Sequence, residues 1–298
     1  MGKNLIAIVG PTATGKTALA ARLAHDLDGE ILSADSRQVY RHMDIGTGKD
    51  RDQYNFGDKR VAVHLIDIID PEAEFTVYDF QKQFYEAFLQ VRSRGKWPIL
   101  VGGTGLYLES VLSGYILPEA PPDLALRKAL EIKSLGELRE MLLSLTNRLH
   151  NKTDLEDRER MLRRIEIEQA KRKSLRTSPF PDIHALVFGI RLPRPVLRER
   201  IARRLAQRLD EGMIEEVGRL HENGLSWERL DSFGLEYRFI TRFLKGEMSK
   251  VDMISKLEIA IGQFAKRQET WFRRMERKGQ TIVWVGPDYE QLKEKVLE

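Results

Sequence analysis

Cysteine is absent from all 298 residues. That excludes disulfides, thiolate zinc sites and iron–sulfur clusters. Long hydrophobic runs are missing too: no stretch approaches the ~20 consecutive apolar residues that a membrane span needs. The opening "MGKNLIAIVG" holds a short apolar run with no small-residue cleavage site behind it, so it reads as a first strand and not as a secretory leader. Internal repeats and low-complexity tracts are likewise lacking. What is there is a chain with 42% hydrophobic residues, enough for a substantial core, and a length that suits one large domain or two ordinary ones. The expectation is a cytoplasmic enzyme without membrane attachment.

Net charge is only +4, but it is unevenly spread. Residues 156–208 carry fifteen Lys or Arg against seven Asp or Glu, and residues 264–279 carry six against two. The rest of the chain is therefore acidic. Two basic segments on an otherwise acidic chain could grip a polyanion, although either alone reads equally well as a solvated helix face.

"NLIAIV", "EILS", "VAVHLIDII", "PILV", "ALVFGI" and "TIVWV" are short, unalternating apolar runs, as expected of strands covered on both faces. Helical patterns such as "TALAARLAHDL" lie between them. This is the rhythm of an α/β fold: a parallel sheet flanked by helices, with ligands at the carboxyl ends of the strands. Between "LPEAPPD" and "RTSPFPD" the rhythm becomes helical only. Residues 1–117 and 181–298 are therefore read as two parts of one α/β core, P-loop NTPase-like by the G-x-x-x-x-G-K-[ST] spacing at residues 10–17, and residues 118–180 as a small all-helical insertion. One long helix is expected from about Pro195 to His221, with Leu197, Ile201, Leu205, Leu209 and Met213 on its apolar row.

"GPTATGKT" directly follows the first strand. Gly10, Gly15, Lys16 and Thr17 fit G-x-x-x-x-G-K-[ST], so Gly10, Pro11, Thr12, Ala13, Thr14, Gly15, Lys16 and Thr17 are expected to cradle a diphosphate or nucleotide. The glycines let backbone N–H groups turn inward, and the following helix presents its positive end. Lys16 brings a mobile cation, and the Thr17 hydroxyl is a ligand for Mg²⁺. The second strand ends in "SADSRQVYR". Asp35 there is either a helix cap or, beside bound phosphates, a metal holder or a proton acceptor. "VGGTGLY" places Thr104 among three glycines, which permit either close ligand approach or a tight turn. Asp67 and Asp70 of "HLIDIIDP" resemble a nucleotidase's metal-holding aspartate, but Asp70 before Pro71 reads better as a turn.

Two helices are basic on one side. Over residues 156–173, Arg158, Leu162, Ile165 and Gln169 share one face, with Met161 beside them, and Arg160, Arg163, Arg164 and Lys171 share another. In the last long helix, Leu257, Ile261, Phe264, Trp271 and Met275 read as the buried stripe. Lys266, Arg273 and Arg277 lie opposite, with Arg267 and Arg274 one step round. Together with a phosphate loop, two such stripes suggest a nucleic-acid backbone. Trp271 and Phe272 are the aromatics that could stack on bases, with core packing the stronger role for Trp271.

"GPTATGKT", "SADSRQVYRHMDIGTGKD", "HLIDIIDP", "ILVGGTGLYL", "LHNKTDLEDRERMLRRIEI" and "FAKRQETWFR" follow one another as they do in tRNA dimethylallyltransferases of bacterial type, also called tRNA isopentenyltransferases. The resemblance spans residues 5 to about 273. It implies transfer of a dimethylallyl group from dimethylallyl diphosphate, with Mg²⁺, to the exocyclic amine of adenosine 37. That adenosine lies in the tRNA anticodon stem-loop, and a monomer is implied. Asp35 would be the general base, with Lys16 and Thr104 also catalytic. Asp35, Ser36, Arg37 and Gln38, with Thr104, Arg127, Glu159, Arg160, Met161, Leu162 and Arg163, would contact tRNA. So would Lys266, Arg267, Gln268 and Arg273. The chain departs from the family at "SFGLEYRFI", where many members carry a "GYRQ"-like segment. The alternative is a small-molecule or nucleoside kinase using ATP, with the basic insertion as its lid.

Overall fold

The computed structural model describes residues 2–118, 120, 123–146, 155–173 and 180–298, without the side chains of residues 172 and 173. The "LHNKTD" segment (149–154), residues 176–179 of "RTSPFPD" and residues 119, 121 and 122 of "LPEAPPD" lie outside them.

The strands are β1 (Leu5–Val9), β2 (Gly29–Ala34), β3 (Asn55–Phe56), β4 (Lys59–Arg60), β5 (Val63–His64), β6 (Trp97–Gly102), β7 (Ala185–Ile190) and β8 (Val283–Val285). The first helices are α1 (Lys16–Asp26), α2 (Val77–Ser93), α3 (Gly105–Leu112), α4 (Leu124–Leu130), α5 (Leu135–Leu145) and α6 (Arg158–Lys173). They are followed by α7 (Arg194–Asp210), α8 (Met213–Glu222), α9 (Trp227–Ser232), α10 (Leu235–Leu244), α11 (Lys250–Arg277) and α12 (Tyr289–Leu297). The chain divides into two compact units. One comprises Met1–Gly114 and Asp182–Glu298, the other Tyr115–Pro181.

In the larger unit, six strands form one sheet in the order β5-β2-β6-β1-β7-β8, every pair parallel. All six expected strands are present, although "VAVHLIDII" contributes only Val63–His64 to the ladder. Beyond it Leu65 and Asp67 take positive φ, which breaks the extended run. The β3–β4 hairpin was not foreseen.

The register matters for function. Val9 pairs with Gly102, and Ala34 pairs with the same Gly102. The loops after β1, β2 and β6 therefore leave the sheet level with one another, on either side of the position where the strand order turns back. That is where open α/β sheets bind ligands.

Isoleucines 6, 8, 31 and 99 bury one sheet face against α1 and α12. A second core joins Val39, Tyr40 and Met43 of the loop after β2 to the inner sides of α7, α8, α10 and α11. The single helix expected over 195–221 is two helices. Gly212 at φ 96° turns the chain between α7 and α8, so Met213 starts the second helix rather than ending the first row.

The described regular elements of the smaller unit are all helices, with Leu130, Leu138, Leu142, Met161, Leu162 and Ile165 as its core. Met161 and Leu162, expected among the RNA contacts, point into this core instead. The basic face expected on α6 is largely engaged within the unit. Arg163 bonds Ala120 O at 2.6 Å and Glu166 at 3.0 Å, while Arg164 and Lys171 both pair with Glu168. Arg127 reaches Glu166 at 2.6 Å and Glu159 at 3.5 Å. Arg160 and Glu159 remain exposed.

Candidate active site

The phosphate loop has the shape its spacing implies. Gly15 sits at φ 86° as the residue before α1, a left-handed conformation that a side chain would strain. The N–H groups of α1's first turn have no acceptor within the helix, so they face outward at its positive end. Thr14 Oγ1 donates to Pro11 O at 2.9 Å and holds the loop's curve. Lys16 Nζ also donates to Pro11 O, at 3.2 Å.

Asp35 directly follows β2, and no helix follows it, so the capping reading fails. Its Oδ1 accepts the Arg37 N–H at 2.9 Å inside a turn, leaving Oδ2 with no hydrogen-bond partner among the described residues. Thr104 does begin a helix, α3, yet its hydroxyl does not cap it. Instead Thr104 Oγ1 accepts the Ser36 N–H at 3.0 Å, tying the turn after β6 to the Asp35 loop. Gln38 is buried. Its Oε1 accepts from Ser33 and its Nε2 donates to Gly48 O at 2.9 Å.

These groups line one cavity of about 380 Å³ together with Lys16, Thr17, Arg37, Arg204, Arg208, Glu236, Tyr237, Phe264, Arg267 and Trp271. A second opening, of about 690 Å³, shares Lys16, Thr17, Asp50, Arg204 and Arg208 with it and adds Arg200 and Arg203. The Lys16 ammonium is pulled down to about 8 by loss of hydration first and by Arg204 second, with Asp35 opposing. Arg204 falls to about 10, through burial and then Arg208. Both stay cationic at neutral pH. A pair of crowded, poorly hydrated cations is relieved when an anion arrives, so the site favours a polyphosphate before any ligand contact is drawn.

Arg204 and Arg208 were not singled out from the sequence. Arg200, Arg204 and Arg208 recur every four residues on α7, one step from its apolar row, and Arg204 donates to the Thr12 hydroxyl of the phosphate loop. That spacing was the available signal. Glu236, also missed, has its carboxyl raised by burial, against the pull of Arg208 and Arg204.

Glu216 of α8 holds the loop that lines the cavity at Gly46, Thr47 and Gly48. Its carboxylate accepts the N–H groups of Asp44, Ile45 and Gly46 at 2.7–3.0 Å and the Tyr237 hydroxyl at 2.6 Å. The buried Lys49 ammonium joins Tyr40 O, Asp44 and Asp67. So Asp67 holds the "DIGTGKD" loop in place, while Asp70 sits in the expected turn, paired with Arg41 at 2.9 Å.

On α11 the buried row is Met253, Leu257, Ile261, Ala265, Gln268, Phe272 and Met275. Phe264, expected inside, is 39% exposed at the cavity rim, while Phe272, expected as a stacking aromatic, is fully buried. Trp271 forms part of the cavity wall and lies against Gly105, where a Cβ would come within 2.4 Å of its ring. Lys266, Arg267, Arg273 and Arg277 are exposed. Arg274 instead pairs with the buried Glu109 at 2.5 Å, which Lys278 also reaches at 2.6 Å. Gln268, expected on RNA, faces inward.

Among the described residues no cluster of three or more His, Asp or Glu could hold a metal by itself. Thr17 and Asp35 nonetheless put a hydroxyl and a carboxylate, both hard oxygen donors, into the same cavity as the phosphate loop. That set fits Mg²⁺, which takes few protein ligands and completes its shell with phosphate and water.

A family model described as IPP transferase matches residues 38–275, and one described as isopentenyl transferase matches residues 3–71. The tRNA dimethylallyltransferase 1 of Syntrophus aciditrophicus is 56% identical over 99% of this chain and 98% of its own length. The solved tRNA isopentenylpyrophosphate transferase of Bacillus halodurans is 31% identical, with a TM-score of 0.70 over 99% of this chain and 94% of that one. A eukaryotic dimethylallyltransferase solved acting on tRNA, at 23% identity, shares the fold, with a TM-score of 0.76 over 96% of this chain and 74% of that one. With the first family model covering most of the sequence, and a relative this similar along nearly its whole length, the chain belongs to the IPP transferase family.

Proposed function

We propose that this chain transfers a dimethylallyl group from dimethylallyl diphosphate to the exocyclic amine of adenosine 37 in the anticodon stem-loop of tRNA. The observation that carries the reading is the shared cavity. Thr12, Lys16 and Thr17 of the phosphate loop and the cation Arg204 line the same cavity as Asp35 and Thr104. A kinase would need the phosphate-holding groups, but the family and its named relatives do not favour that alternative.

In this reading the first turn of α1, Lys16 and Arg204 hold the diphosphate. As the carbon–oxygen bond breaks, negative charge grows on the leaving oxygen, and fixed N–H groups and cations stabilise that charge more than the bound substrate. Thr17 would hold Mg²⁺, with Asp35 within the same cavity, and the ion would neutralise part of the diphosphate charge. The amine nitrogen forms the new carbon–nitrogen bond and loses a proton to Asp35 Oδ2, the oxygen without a partner among the described residues. Thr104 orients the acceptor side through its bond to Ser36. The adenosine must leave its stack to reach this carboxylate, which costs a few kcal/mol by general experience with flipped bases.

Arg37, Lys266, Arg267 and Arg273 are assigned to the RNA backbone. In the helical insertion, residues 118–180, the exposed Glu159 and Arg160 are assigned to tRNA, Arg160 to its backbone, while Arg127 and Arg163 brace the unit through Glu166. The chain would act as a monomer in the cytoplasm. Incubation with dimethylallyl diphosphate and Mg²⁺, followed by mass analysis of nuclease digests, tests the reading. Prenylation confined to adenosine 37 supports it, and ATP-dependent phosphorylation of a small acceptor with unchanged RNA would replace it by the kinase.

A further inference from the structure

Gln268 stands on α11 beside the exposed Lys266 and Arg267, yet it is only 7% exposed. Its Oε1 accepts the Thr12 N–H at 2.8 Å, and its Nε2 donates to Gly103 O at 2.8 Å. The orientation of the amide is unambiguous, because a backbone N–H can only donate and a carbonyl can only accept. Gly103 is shaped to this neighbour: a Cβ there would lie 2.4 Å from Nε2.

The two backbone groups belong to different halves of the site. Thr12 lies in the phosphate loop, where its hydroxyl also accepts from Arg204. Gly103 precedes Thr104, which is bonded to the loop of Asp35. Between β1 and β6 the ladder's last pair is Val9 with Gly102. Past that pair both strands become turns, and the Gln268 amide crosses between them.

We propose that Gln268 is a positioning residue for the transfer. It fixes the phosphate loop against the Thr104 turn, so that the carbon attached to the leaving diphosphate stays at attacking distance from the acceptor amine. This role rests on the proposed function. It differs from an RNA contact, which the resemblance implied for this residue. A misplacement of ~1 Å between reacting groups costs about 10²-fold in rate, so the brace is worth up to that factor.

Gln268→Glu supplies a readout that a merely structural role would leave unmoved. An ionised glutamate still accepts from Thr12 but sets a carboxylate oxygen against Gly103 O, with no proton between them. A protonated glutamate restores the donor. Turnover should be followed from about pH 8 to pH 5 at saturating dimethylallyl diphosphate. Repulsion of the diphosphate would then appear separately, in the Michaelis constant. Dividing by the wild-type rate at each pH removes every pH effect the two enzymes share.

The expected ratio is about 10⁻² at high pH and climbs as the pH falls. Gln268→Met, with similar length and no donor, should be slow at every pH. Both variants should bind tRNA with the wild-type salt dependence, and thermal unfolding at each pH checks that they are folded. A flat Gln268→Glu ratio, or near-normal turnover of Gln268→Met, would overturn the role. So would a weakened salt dependence, which would return Gln268 to the RNA surface. If wild type prenylates no tRNA, the function reading fails and this role fails with it. A wild type that prenylates, with a flat ratio, sinks this role alone.

Discussion

Lys16 offers a test that needs no RNA. Loss of hydration, and then crowding by Arg204, hold its ammonium at about 8, against 10.5 for a lysine in water. At pH 7 the neutral amine is then about one molecule in ten, whereas a solvated lysine offers about one in three thousand. The ratio is about 300-fold. A less basic amine is also less nucleophilic, and by the trend known for thiols this takes back about one order of magnitude. Lys16 should therefore react with an acylating reagent about thirtyfold faster than solvated lysines at pH 7, followed by peptide mass spectrometry. Its rate should rise through a midpoint near pH 8. The signs of two perturbations follow. Inorganic pyrophosphate adds negative charge beside the ammonium, so it should raise the midpoint and slow labelling. Arg204→Gln removes a like charge, so it should also raise the midpoint, without any ligand. A midpoint near 10 in the free enzyme would refute the crowded-cation argument. Labelling indifferent to pyrophosphate would remove Lys16 from the diphosphate site.

Two further outcomes follow from the site. Asp35→Asn keeps the turn's acceptor for Arg37 N–H but cannot take a proton, so single-turnover transfer should fall by ~10²–10⁴-fold with tRNA affinity little changed. Near-normal transfer would leave Asp35 a turn-former only. Arg267→Ala should weaken all tRNAs about equally and lower the log–log salt slope by about 0.7 to 0.9, as loss of one phosphate contact does. An unchanged slope would assign Arg267 to solvent.

The phosphate loop and the six strands were legible because their signals are local: a fixed spacing, and short apolar runs beside it. The meeting of Lys16, Asp35 and Thr104 was legible one level up, since all three follow strands of a parallel sheet. The arginines of α7 were not. They were visible as charge, but nothing local says that α7 turns Arg204 towards Thr12. On α11 the hydrophobic residues themselves misled. Phe264 and Trp271 look like core, while the inward positions between Ile261 and Phe272 are Ala265 and Gln268, one small and one polar. A polar residue on a buried stripe is invisible to a periodicity of apolar residues. On α6 the arginines followed the expected helical spacing, but their partners, Glu166, Glu168 and backbone carbonyls, are fixed by packing within the helical unit.

If one cavity joins a diphosphate donor to a tRNA adenosine, prenylated RNA and free diphosphate must appear together. The most direct test incubates the purified chain with dimethylallyl diphosphate, Mg²⁺ and unmodified tRNA, then weighs the nucleosides of the anticodon stem-loop. One dimethylallyl group on adenosine 37 and an equal amount of released diphosphate are expected, both formed ~10²–10⁴-fold more slowly by Asp35→Asn. Diphosphate release with no change in the mass of the RNA would contradict that expectation.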